Sequence, residues 1–113
     1  INSTVPGKTI GEVFKAGIDA YRITGFSEEW EKHHQGGPCG YKTRYYRATA
    51  ESSDIVKPGY AFAWNPSITG TKSEDTIIVA TDKNLIITED NKWPKIEINT
   101  GGTCISRPDI LVR

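Results

Sequence analysis

The chain has no methionine, only two cysteines, no long apolar run and no net charge. Each of these absences excludes something. Without eighteen consecutive apolar residues there is no candidate spanning helix. Lys plus Arg equals Asp plus Glu, at 14 each, so the chain lacks the positive excess of a general nucleic-acid coat. A local basic patch stays open. The missing methionine, including at Ile1, is read as the mark of a mature product whose targeting peptide is gone, or of a trimmed chain. Asn2-Ser3-Thr4 is a glycosylation sequon, in keeping with a secretory route, whereas Asn65-Pro66-Ser67 is blocked by its proline.

What is present fits one folded domain over residues 1–113, with 36% apolar and 25% charged residues. The cysteines, Cys39 and Cys104, allow one pairing. A bridge between them is expected, worth roughly 4 kcal/mol through loop closure; the alternative is two buried free thiols. No Cys-x-x-Cys spacing signals structural zinc or redox chemistry.

Thr9-Ile10-Gly11-Glu12 has the form of a capping box, and Ile10, Val13, Phe14, Ile18 and Tyr21 follow at helical spacing. Gly17 falls inside that stripe and is expected to let a strand approach closely; Gly25 is the natural stop. A second, shorter helix is predicted over 27–34, acidic at its start and basic at its end, with Gly36-Gly37-Pro38 ending it. Strands are predicted at 41–50 and 60–64, then a hairpin of 76–81 and 85–88 across Asp82-Lys83-Asn84. Further strands are expected at 95–98 and 103–106, around a turn at Thr100-Gly101-Gly102, and an edge strand at 108–113. The pattern implies an α+β fold: an N-terminal helix, plus the short second one, packed on an antiparallel sheet of four to five strands.

Few groups suggest chemistry. His33 and His34 are adjacent, and on a helix they would point about 100° apart, which does not suit chelation of one metal. Glu29 lies four residues earlier and would face His33. In Tyr41-Lys42-Thr43-Arg44-Tyr45-Tyr46-Arg47 basic and aromatic side chains interleave, as in surfaces that hold phosphates and stack bases. On a strand, Lys42, Arg44 and Tyr46 would share one face and Thr43, Tyr45 and Arg47 the other. The contact residues expected are Lys42, Arg44, Tyr46 and Arg47, with Trp64 as a stacking platform. Glu74-Asp75 and Glu89-Asp90 read as turn acids, and no nucleophile elbow or phosphate loop is present.

Several motifs, in order, resemble the small fungal guanyl-specific ribonucleases and the ribonuclease-like secreted effectors of powdery mildew fungi. Phe62-Ala63-Trp64-Asn65-Pro66 resembles that fold's aromatic–Glu–Trp–Pro strand, and Glu74-Asp75-Thr76-Ile77-Ile78-Val79 its Asp–Arg–Val–Val strand. Ile98-Asn99-Thr100-Gly101-Gly102 resembles its Thr–His–Thr–Gly turn, with Cys104 soon after. The resemblance places Ala63 where the family has its glutamate base, Thr76 at its arginine and Asn99 at its histidine acid. An alanine takes no proton and an asparagine gives none near neutral pH, so a non-catalytic relative is implied. It departs from the effectors in that Cys39 follows the helix instead of preceding it.

The expectation is therefore a secreted, monomeric binding protein, an effector acting on host RNA, ribosome or protein, without cofactor, metal or membrane association. Two rivals are a pilin-like filament subunit and an active nuclease using His33 or His34 with Glu29 or Glu51.

Overall fold

The computed structural model describes residues 1–100, 102–110 and 112. One α-helix, α1 (Ile10–Ile23), precedes a short 3-10 turn (Glu29–Lys32) and eight strands. Four strands, β1 (Gly36–Cys39), β2 (Ala61–Trp64), β5 (Asp75–Ile78) and β6 (Leu85–Ile86), form an antiparallel meander in the order β1-β2-β5-β6. Two separate hairpins, β3 (Ser67–Ile68) with β4 (Thr71–Lys72) and β7 (Lys95–Thr100) with β8 (Thr103–Pro108), flank it. The fold is thus α+β, as expected, with one α-helix among the described residues and a four-stranded antiparallel sheet, and the later strands form separate hairpins instead of joining that sheet.

Local chemistry sets both ends of α1. The Thr9 hydroxyl accepts from Glu12 N–H at 3.1 Å and Glu12 Oε2 accepts from Thr9 N–H at 2.6 Å, a complete capping box. This holds the Glu12 carboxyl below its usual range, chiefly through the Thr9 backbone bond. At the other end, Gly25 N–H donates to Arg22 O and Phe26 N–H to Tyr21 O, with Gly25 at positive φ, a Schellman closure. Gly17 differs from its expected role: it is exposed and nothing lies near it. Close approach occurs instead at Gly11, where a Cβ would stand 2.5 Å from Ala50 O, because the loop before β2 is bonded to the first turn of the helix.

The helix covers one face of the meander. Ile10, Val13 and Phe14 pack with Phe62, Trp64, Ile77 and Val79, and Ala48 and Val56 complete the core. Phe62 and Trp64, two apart on β2, stack at 5.5 Å with planes 5° apart, and Trp64 Nε1–H donates to the buried Thr4 hydroxyl at 3.0 Å. Alternation then puts Ala61, Ala63, Thr76 and Ile78 on the face away from α1, where they are half-buried. Hairpin β7–β8 is tied to the meander by an ion pair between Arg107 and Asp75, both nearly buried, while Thr88 Oγ1 donates to Asp75 at 2.7 Å.

Several expected elements differ. The helix over 27–34 is reduced to the 3-10 turn, because the Glu29 carboxylate is drawn out to Thr69 and the Gln35 side chain closes on the Trp30 and His33 carbonyls. No strand forms at 41–50, and β1 appears at Gly36–Cys39 instead. The tail adds no strand among its described residues: β8 ends at Pro108, and Leu111 and Arg113 lie outside the described residues, as does Gly101 of the expected turn. Cys39, on β1, and Cys104, on β8 of a separate hairpin, are both free, so the expected bridge is not formed. Cys104 is exposed and its thiol donates to Glu97 Oε2 at 3.1 Å, which pushes its pKa up.

With the core centred on β2, Phe62→Ala should cost about 3–5 kcal/mol in urea unfolding. Ile98→Ala, on β7 and 37% exposed, should cost under about 1 kcal/mol. Equal losses would place the core elsewhere.

Candidate functional site

Strand β1 is built from Gly36, Gly37, Pro38 and Cys39, a poor strand sequence by propensity. What it permits is close packing of backbone on both sides. Gly36 and Gly37 sit at φ of 106° and 153°. A Cβ on Gly37 would lie 2.5 Å from Tyr46 O and 2.9 Å from Ala48 N, and one on Gly36 would collide with Ala63 O. The segment 45–48 therefore lies directly against β1, with Tyr45 N–H donating to Pro38 O at 3.0 Å and Ala48 N–H to Gly36 O at 2.9 Å. These bonds do not continue into a ladder, so the segment stays irregular. The strict alternation of side chains expected for a strand is lost with it.

His34, the residue two before Gly36, lies within electrostatic range of Arg44 and Arg47. Arg44, His33 and Arg47 all disfavour the protonated imidazole of His34, with Glu74 opposing them; burial is the largest cause, and the result is a pKa below the ordinary value of 6.5. His34 Nδ1 is buried without a hydrogen-bond partner among the described residues. The His33 and His34 rings lie 4.4 Å apart between centroids, and His33 Nδ1 is 2.7 Å from the His34 carbonyl. Glu29 does not face His33 as expected: it is held by Lys32 and Thr69, which lower its carboxyl pKa. Glu51 is exposed in the turn closed by Ser52 N–H on Thr49 O, so neither glutamate completes a histidine site.

The expected contact residues are thus only partly brought together. Arg44 and Arg47 are exposed, and the positive charge of each lowers the His34 pKa after burial does. Lys42 is exposed farther out in the loop, its carbonyl accepting from Gly40 N–H. Tyr46 turns the other way, packing against the core with its hydroxyl on Asp54 Oδ2 at 2.5 Å. Trp64 is no stacking platform, because it is buried between α1 and the sheet and its N–H is already engaged. Sequence reasoning missed Glu74 as a neighbour of the cluster; nothing local signals it, since the sheet alone brings it there.

Of the three positions that the resemblance singles out, Ala63 and Thr76 are direct cross-strand partners on the face away from α1. Asn99 is on β7, opposite Cys104 in a separate hairpin. Among the described residues no three His, Cys, Asp or Glu side chains group as a metal-binding set, and no helix is long and apolar enough to cross a membrane. Compared with known proteins, the chain matches no family model and no curated protein.

The depressed pKa of His34 has a consequence for stability. The unfolded chain takes up the proton near 6.5, while the folded chain resists it to lower pH. Between those values the unfolded state holds more protons, so stability falls as pH falls. The loss of urea midpoint from about pH 7.5 to about pH 5 should be smaller in His34→Asn than in the parent. Equal losses would mean that the ring is fully solvated.

Proposed function

We propose that the protein is a non-catalytic binding protein of ribonuclease-like fold that engages RNA through the basic edge around His34, Arg44 and Arg47. The observation that carries the reading is the pair of exposed arginines on the segment held against β1, both close enough to His34 to disfavour its protonated form. Guanidinium groups match phosphate oxygens two at a time, and they stay charged throughout the physiological range. The meander that follows the helix and the pairing of Ala63 with Thr76 across it are in keeping with the reading, whereas Asn99 stands apart on the β7–β8 hairpin. Where the family has a base and an arginine, this pair supplies neither, so the surface can hold a phosphate chain without a base on β2 to cleave it. The assignment to a secreted effector, acting on host RNA, rests on the resemblance alone.

A second reading is favoured by one observation. An imidazole kept neutral at pH 7 beside two arginines is what a general base near a phosphate needs. It would make the protein a nuclease centred on His34.

Fluorescence anisotropy with a single-stranded RNA oligomer should show binding at low salt that weakens steeply as salt rises. In Arg44→Ala/Arg47→Ala the slope of log K against log salt should be shallower by about 1.4, roughly 0.7 for each phosphate that is no longer neutralised. No binding at low salt would remove the RNA reading. Cleavage of the same oligomer, abolished by His34→Ala, would replace binding with catalysis.

A further inference from the structure

On the far side of the same loop the molecule has a second concave surface. A cleft of about 610 Å³ opens between the start of α1, the end of β1 and the loop leading to β2. Tyr45, Tyr46 and Tyr60 line it with Ile55, and its charged groups are Asp54 and Lys57. Tyr45 is 55% and Tyr60 43% exposed, so both rings are accessible from solvent. Tyr46 is half-buried and its hydroxyl donates to Asp54 Oδ2. Burial first, and then that carboxylate, push the phenol up to about 12. The group stays a fixed donor and orients the carboxylate, whose other oxygen accepts no hydrogen bond among the described residues. Lys57 forms no ion pair among the described residues.

The chemistry of the lining selects by elimination. Asp54 attracts a cation that Lys57 repels, and Lys57 attracts an anion that Asp54 repels, so the lining favours neither net charge. A pure hydrocarbon would desolvate both charges with nothing in return. A neutral ring with an aliphatic face and a rim of hydroxyls satisfies every group. Its C–H face packs on a tyrosine ring, whose π face carries partial negative charge. Its hydroxyls donate to Asp54 and accept from Lys57. The volume falls in the ordinary range for small-molecule sites.

We propose that this cleft binds a neutral carbohydrate, one or two pyranose rings seated on Tyr60 and Tyr45 with hydroxyls on Asp54 and Lys57. The cleft takes Tyr45 and Tyr46 from the segment whose Arg44 and Arg47 belong to the basic edge, so no side chain is shared.

The test is an amide NMR titration of the full chain with glucose, galactose, mannose, N-acetylglucosamine and the β-1,4-linked disaccharides of glucose and of N-acetylglucosamine. At least one sugar should saturably shift the amides of Gly40, Tyr45, Asp54 and Tyr60. Tyr60→Ala, at an exposed position, should weaken that binding by about tenfold while amides on β5 stay in place, and Asp54→Asn should weaken it without unfolding. Arg44→Ala/Arg47→Ala should bind the sugar as the parent does, which separates this site from the RNA reading. Absence of any cleft shift would overturn the proposal, as would shifts unchanged in Tyr60→Ala. So would occupation of the cleft by ribose 5-phosphate or choline when no sugar binds.

Discussion

The contact on which the surface of this protein depends is backbone against backbone. Strand β1 is sandwiched between β2 and the segment 45–48, and at Gly36 and Gly37 there is no room for a Cβ on either side. Glycine in a strand weakens it by propensity, and its use here marks the close approach of another chain segment. That segment is pressed onto β1, its Arg44 and Arg47 act electrostatically on His34, and its Tyr45 and Tyr46 line the cleft. Ala48 meanwhile enters the core. One local constraint thereby sets two chemically different surfaces from four consecutive residues, Arg44 to Arg47.

The other organising feature is the division of the meander into two faces. Phe62, Trp64 and Ile77 hold α1, and burying them supplies the apolar burial that a chain of this size needs. Their neighbours Ala63 and Thr76 are thereby fixed on the opposite face, whatever they do there. Hairpin β7–β8 contributes little to this core. Its attachment relies on Arg107 reaching a nearly buried Asp75, an ion pair whose value is mostly in fixing position.

The elements legible in the sequence are those written by local interactions. The capping box at Thr9 and Glu12, the stripe from Ile10 to Tyr21 and the stop at Gly25 each involve residues a few positions apart. Alternation around Phe62, and the turn at Asp82 to Asn84, likewise marked β2 and the β5–β6 hairpin. The misread elements are tertiary in origin. Gly36-Gly37-Pro38 punctuates as a loop, and becomes a strand because β2 offers it a ladder. The β-rich run from Tyr41 to Ala50 reads as a strand, yet it meets β1 through isolated bonds. Glu29 was assigned to His33 by helical spacing, and it is taken by Thr69, forty residues away. Cys39 and Cys104 can be paired by arithmetic, but arithmetic does not bring β1 and β8 together. The candidate site follows the same division: Arg44 and Arg47 are visible as charges in the sequence, and their electrostatic effect on His34 is not.

The central claim is that these residues form an RNA-binding edge. The most direct measurement is an amide NMR titration of the protein with a short single-stranded RNA at low salt. The account predicts that shifts concentrate at His33 to Gly37 and Arg44 to Ala48, on both sides of the glycine strand. Shifts confined to hairpin β7–β8, or none at all, would contradict it.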